Sequence, residues 1–151
     1  MKNLFDTTVA NEVKTRLAKL GPQSERRWGK MTAAQMLAHC SVSMQWAVGE
    51  LAPEKLPFPT RLMGRLIKPM VIRNDAPMRK NSPTAKSLIV AGECDLARER
   101  DRLSGLIDKF ASGGVSGCTG NPHSFFGKMT PEEWAILMYK HLDHHLCQFG
   151  V

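Results

Sequence analysis

The sequence predicts an all-α domain, a four-helix bundle, on three observations. Apolar residues recur three or four positions apart in four separate segments, which is the spacing of one helix face. Two of these segments start with a threonine that is followed three residues later by glutamine or glutamate, the pattern of a capping box. The chain has 151 residues, a length at which one domain buries a core without disulfides. We therefore expect a single domain over residues 1–151.

The first two helices are delimited by clear start and stop signals. The first is predicted from about Asp6 to Leu20, because Gly21 and Pro22 follow its last apolar position. The second is predicted to begin at Thr32, whose hydroxyl can cap it, and to continue to about Gly49.

The middle of the chain predicts an irregular crossover. Six prolines lie between Leu51 and Ser87, a density that predicts no long helix there, although a short one from Thr60 to about Ile67 fits the pattern. The next main helix is predicted over roughly Glu93–Phe110. The last begins at Thr130-Pro131 and ends near Gly150, with a cap, a first-turn proline and an acidic third position.

Composition and apolar patterning argue against a membrane, secreted or disulfide-rich protein. No apolar run approaches the roughly 20 residues of a membrane span, and the first residues lack the apolar stretch of a secretory signal. The four cysteines show no CxxC spacing, which favours reduced thiols over a disulfide framework or a cysteine-rich zinc site. We expect a cytoplasmic protein with no membrane association and no disulfide.

Part of the net charge of +7 comes from the segment 61–80. This segment has one acidic residue and no aromatic residue that could stack on a nucleic-acid base. A solvated basic face is the favoured interpretation, an anionic ligand near the segment is the alternative, and no nucleic-acid partner is expected because no recognition motif accompanies the charge. Its basic residues are Arg61, Arg65, Lys68, Arg73, Arg79 and Lys80.

Three histidines are predicted to point into the core. His141 and His145 are four residues apart on the apolar face of the last helix, so both imidazoles can contact one metal ion. His39 lies on the apolar face of the second helix. Inward imidazoles are costly without partners, and one metal ion satisfies all three at once. The competing interpretation is that His39 is an ordinary hydrogen-bonded core histidine and that the His141 and His145 spacing is accidental.

Three segments resemble a bacterial domain family of unknown function within the DinB-like superfamily, and the resemblance covers nearly the whole chain. It implies a four-helix bundle in up-down-down-up order, which the long crossover between helices 2 and 3 would suit. Related bundles often pair through helix faces, so a homodimer stays open. The segments are Trp28-Gly29-Lys30-Met31-Thr32-Ala33-Ala34-Gln35-Met36-Leu37-Ala38-His39, Asn121-Pro122-His123-Ser124-Phe125-Phe126-Gly127 and Tyr139-Lys140-His141-Leu142-Asp143-His144-His145-Leu146-Cys147-Gln148-Phe149-Gly150.

The resemblance implies a metal triad at His39, His141 and His145. Better-known members of the superfamily have His-Arg-Gly-Gln at the end of the last helix, where this chain has His145-Leu146-Cys147-Gln148. The glutamine is retained and the arginine is missing. A substrate contact made by that arginine therefore does not carry over to this chain.

The expected cofactor is a divalent metal, with zinc or nickel fitting three imidazoles best and iron or manganese as alternatives. The resemblance implies an enzyme that transfers a small thiol to an electrophile, with a low-molecular-weight thiol as the small-molecule substrate, or that activates water for hydrolysis. Three residues are candidates for orienting a ligand or moving a proton, namely Gln148, His144 and His123, although packing or surface roles fit them equally. The alternative function is a non-catalytic stress-response module whose methionines and tryptophans line a small-ligand pocket.

Overall fold

The computed structural model describes all residues, 1–151, and contains five α-helices, one turn of 3-10 helix and no β-strand. Its all-helical content agrees with the prediction, and the fifth α-helix lies in the crossover where a short one was expected. The elements are α1 (Thr7–Leu17), α2 (Ala33–Ala47), α3 (Phe58–Ile72), the 3-10 helix Lys86–Leu88, α4 (Leu96–Gly113) and α5 (Pro131–Gln148).

Both predicted capping boxes are present, and they begin the two helices that carry the histidines. The Thr32 hydroxyl accepts the Gln35 backbone N–H at 3.2 Å, while the Gln35 side-chain oxygen accepts the Thr32 N–H at 3.0 Å. Thr130 and Glu133 make the same pair of bonds at the start of α5, at 3.2 and 3.0 Å. Each box satisfies two N–H groups that the helix itself leaves without partners, so the starts of α2 and α5 are fixed locally.

Helix α3 corrects the prediction for the crossover. A short helix over Thr60–Ile67 was expected because of the prolines, but one helix runs through Phe58–Ile72. Pro59 lies in the first turn, where no helical N–H bond is needed, so it does not oppose the helix. Pro69 lies in the last turn and removes a single internal bond near the end of the helix. Proline count alone therefore overestimated the disruption.

Four of the helices, α1, α2, α4 and α5, surround the core. Helices α1 and α2 each pack against both α4 and α5, whereas α3 packs only against α5. The predicted apolar stripes supply the interior, with fully buried side chains from every one of these four helices, including Val13, Leu37, Leu103, Phe110 and Trp134. None of the helices is long and apolar enough to cross a membrane.

Two contacts hold α3 against the rest of the chain. A Cβ at Gly64 would lie only 2.0 Å from the Phe125 carbonyl oxygen, so only glycine permits this approach of helix and loop. The buried Lys140 of α5 donates from Nζ to the carbonyl oxygens of Val71 and Asn74, at 2.8 and 2.9 Å. These carbonyls lie at the end of α3, where the helix offers them no internal donor.

The outward surface of α3 is less polar than predicted for a solvated basic face. Arg61 and Arg65 are exposed, but the side of the helix that faces solvent is mainly apolar, with Phe58, Leu66 and Met70 each about 70% exposed. Lys68 is instead directed to the protein, where its ammonium group pairs with Glu133 at 2.9 Å.

A pair of glycine variants tests the docking of α3. We expect Gly64→Ala to lower the free energy of unfolding by about 1–3 kcal/mol, because the new methyl group overlaps the Phe125 backbone. Gly105→Ala is the matched control within α4, where a Cβ meets nothing within 4 Å. It should raise stability by about 0.5–1 kcal/mol through helix propensity. Urea denaturation measures both, and equal shifts in the same direction would contradict the docking contact.

Candidate metal site

The structure brings together the three histidines that the sequence singled out. His39 of α2 lies against His141 and His145 of α5, with ring centroids 4.9 and 4.7 Å away, and the two α5 rings are 4.7 Å apart. One ring nitrogen from each histidine lies within 4.8 Å of the other two. Because α2 and α5 pack against each other, residues about 100 positions apart form one cluster.

A backbone carbonyl fixes which nitrogen of His39 carries the proton. Its Nδ1 is 2.9 Å from the carbonyl oxygen of Leu88, in the 3-10 helix, and a carbonyl can only accept. Nδ1 of His39 is therefore the protonated nitrogen of the neutral ring. Its Nε2 therefore carries the lone pair and lies at hydrogen-bond distance, 2.9 Å, from Nε2 of His141 inside the cluster.

Gln148 fixes the proton of His145 in the same way. The amide group of Gln148 donates from Nε2 to the Trp28 carbonyl oxygen at 2.7 Å, which orients its Oε1 toward His145 Nδ1 at 2.8 Å. His145 Nδ1 must then be the donor, and the lone pair lies on Nε2. Gly29 makes this possible, because a Cβ there would be 2.4 Å from Gln148 Nε2 and because its φ is +79°.

All three imidazoles are neutral at pH 7. Burial lowers the pKa of His39, and burial together with the neighbouring His39 lowers the pKa of His145 to about 3. Burial is also the main cause for His141, whose pKa is held well below 6.5 with a further contribution from the two other rings. Protonation of any one ring would place a cation beside two imidazoles in a poorly solvated site.

The donor set fits a divalent metal ion. Neutral imidazoles are ligands for such ions, and two of these rings donate the N–H of Nδ1 to an oxygen, the arrangement usual for metal-binding histidines. His39 and His145 are buried, whereas His141 is only partly buried. Three protein ligands leave at least one coordination position for another molecule.

His144 lies outside the cluster of three. Its ring is 5.1 Å from the His145 ring and 5.6 Å from that of Trp28, and it is half-buried. Burial lowers its pKa, so it is also neutral at pH 7. It borders a surface cavity together with Trp28.

His123 makes local structural bonds. Its Nδ1 accepts the backbone N–H groups of Phe125 and Phe126, at 3.1 and 3.2 Å, and its ring packs against Trp46 and Trp134. Burial in this aromatic surrounding lowers the pKa of His123 to about 4. The Nδ1 lone pair is thus already used and is not available to a substrate.

Two contributors to the site were missed by sequence reasoning. The Leu88 carbonyl oxygen orients His39 directly, and the Trp28 carbonyl oxygen orients His145 through Gln148. Patterns of side chains in a sequence do not report which backbone carbonyls will accept a bond. In the sequence, only the resemblance of the segment 28–39 to the DinB-like superfamily drew attention to Trp28. The methionines and tryptophans proposed to line a pocket mostly fill the core instead, since Met36, Met44, Met138, Trp46 and Trp134 are all at most 3% exposed.

A family model described as "Protein of unknown function (DUF1569)" matches residues 2–150 of the chain. No curated protein and no solved structure matches it. The family match covers the whole helical core and all of the residues that form the histidine cluster.

Gly29 offers a test of the bond between Gln148 and Trp28. We expect Gly29→Ala to lower the free energy of unfolding by about 2–4 kcal/mol, because it combines a left-handed backbone with a clash against Gln148 Nε2. Gly21→Ala, where a Cβ meets nothing within 4 Å, should change stability by less than about 0.5 kcal/mol. Urea denaturation compares them. Equal stability of the two variants would show that Gln148 is not held against Gly29.

The low pKa of His123 predicts a pH dependence of stability. A histidine with an ordinary pKa near 6.5 in the unfolded chain and about 4 when folded stabilises the fold fully above pH 6.5. That contribution, up to about 3 kcal/mol, is lost as the pH falls from 6.5 to 4. His123→Asn keeps an acceptor for the two backbone N–H groups and cannot titrate. The difference in unfolding free energy between wild type and variant should shrink as the pH falls, whereas a constant difference would contradict the prediction.

Proposed function

This chain belongs to the DUF1569 family, and we propose that it is a metal-dependent enzyme whose site is formed by His39, His141 and His145. The observation that carries the proposal is the convergence of three neutral imidazoles, two of them with the proton held on the nitrogen remote from the cluster. One metal ion would use a lone pair of all three rings at once, whereas without it the facing Nε2 atoms of His39 and His141 satisfy each other only if His141 carries its proton on Nε2.

The resemblance to the DinB-like superfamily supports the same site. We propose that the chain also shares the superfamily's up-down-down-up helix order. The segment with α3 and the 3-10 helix would then be the crossover between α2 and α4. The superfamily triad of one histidine on the second bundle helix and two on the last agrees with His39, His141 and His145 in this chain. Arginine is absent from the position next to the last histidine, where Leu146 is buried.

Zinc or nickel is the proposed metal, and iron or manganese is the alternative, since all four accept neutral imidazole ligands. When bound, such an ion would supply Lewis acidity, which makes a thiol or a water molecule nucleophilic at neutral pH. The open side of a three-histidine site is typical of catalytic rather than structural metal centres. We propose transfer of a low-molecular-weight thiol to an electrophile as the reaction, with hydrolysis as the alternative.

The surrounding residues would orient the ligands and handle protons. Gln148 is a positioning residue, because it touches His145 and Trp28 and acts on the site only through them. His144 is the better candidate for proton transfer, since it is half-buried beside His145 and borders a cavity. His123 is the weaker candidate, because two backbone N–H groups occupy its Nδ1.

Metal content is the first test. Wild-type protein purified with zinc and nickel present should contain about one ion per chain, because three imidazoles form a complete set of protein ligands. His141→Ala should contain almost none. His144→Ala is the matched control, since it removes a neighbouring imidazole that lies outside the cluster. Elemental analysis measures all three, and equally negligible metal in wild type and His141→Ala would refute the site.

Turnover separates an enzyme from a module that only binds metal. Metal-loaded wild type should accelerate the alkylation of a small thiol by monobromobimane, and a chelator or His141→Ala should abolish the acceleration. Stoichiometric metal without acceleration of either this reaction or ester hydrolysis would favour the non-catalytic module.

A further inference from the structure

A cavity of about 210 Å³ lies beside the histidine cluster, between the end of α5 and two loops. The loop before α2 contributes Arg27 and Trp28, and the segment after α3 contributes Lys80. Asp143 and His144 of α5 also line the cavity, and His144 is the residue next to His145. The basic segment 61–80 of the sequence thus ends at this cavity.

The cavity carries two positive charges that no protein carboxylate balances. Arg27 and Lys80 take part in none of the ion pairs of the structure. The single acidic residue of the cavity, Asp143, is already paired with Arg16 at 2.6 Å. The local field therefore favours an anion.

Both cations contact residues that also support the histidine site, Gln148 and Trp28. The Arg27 backbone N–H donates to the Gln148 carbonyl oxygen at 2.7 Å. Its guanidinium group lies over Gly150, where a Cβ would be 2.6 Å from Nη2 and where φ is +77°. Lys80 lies with Nζ 4.3 Å from the centroid of the Trp28 ring, a cation–π contact.

Short steps connect these cations to the proposed metal ligands. Lys80 contacts the Trp28 ring, that ring lies 5.6 Å from His144, and His144 lies 5.1 Å from His145. The Trp28 and His144 rings therefore lie between the cavity and the cluster. Trp28 lines the cavity, and its indole N–H is buried without an acceptor in the protein.

We propose that this cavity binds an oxyanion group, a carboxylate or a phosphate, on the substrate of the histidine site. Arg27 binds the oxyanion through its planar donors, and Lys80 contributes a point charge. The inference rests on the proposed function only in assigning the anion to the substrate.

Binding of simple probes tests the cavity without turnover. Glutarate and inorganic phosphate are titrated into the full-length protein at pH 7.5, and the indole N–H signal of Trp28 is followed by NMR. Glutaramide, which has the shape of glutarate without its charge, is the control ligand. We expect a saturable shift with glutarate, phosphate or both and none with glutaramide. The stronger of the two anions identifies the substrate group. A shift with neither anion, or an equal shift with glutaramide, would overturn the proposal.

Charge variants locate the binding. Arg27→Gln and Lys80→Gln should each weaken anion binding about tenfold, the effect of one charge-assisted hydrogen bond. Arg79→Gln is the matched control, since it removes the same charge from the residue next to Lys80 but does not border the cavity. Arg79→Gln should bind like wild type. Equal weakening by Arg79→Gln and Lys80→Gln would show a general charge effect and refute the site.

Kinetics separate failure of this inference from failure of the proposed function. With metal-loaded protein, mercaptopropionate should have a lower KM than the uncharged mercaptoethanol. Arg27→Gln should remove this difference, and the control Arg79→Gln should keep it. Turnover with no preference for the acidic thiol would overturn the inference and leave the enzyme. Specific anion binding without any turnover would refute the enzyme and leave the cavity as a binding site.

Discussion

Two hydrogen bonds from the Gln148 side chain hold the end of α5, the chain before α2 and the His145 ring in one arrangement. Because Gln148 donates to Trp28 and accepts from His145, the orientation of its amide is determined and the proton of His145 is placed on Nδ1. The close approach requires glycine at position 29. The same contact brings Arg27 beside Gly150, so the histidine cluster and the neighbouring cationic cavity share one support.

Burial of the three imidazoles beside one another makes their protonation unfavourable, and this explains the chemistry of the cluster. Three imidazoles lie where protonation is disfavoured by burial and by one another, so they remain neutral through the physiological pH range. Neutral imidazoles are the form that binds a metal ion. Three adjacent buried imidazoles are an unfavourable way to fill a core, but they form a suitable site for a cation. This is the physical basis of the proposed function.

The crossover between α2 and α4 contributes more than a connection. Its 3-10 helix supplies the Leu88 carbonyl that orients His39, and Lys80 reaches the Trp28 ring from the same stretch of chain. Helix α3 stays attached through Gly64 and through Lys140, the residue before His141. The segment that looked least regular in the sequence therefore forms one side of the candidate site.

Local chemistry in the sequence determined the helix starts at Thr32 and Thr130, the core faces of α2 and α5, and hence the inward direction of His39, His141 and His145. These features depend on neighbours within one or two turns, which periodicity and capping report directly. Only the tertiary structure decided the length of α3, the bond of Gln148 to Trp28 and the place of Lys80. Backbone carbonyls, glycine contacts and pairings across more than 50 residues depend on how helices meet, and no local pattern encodes that geometry.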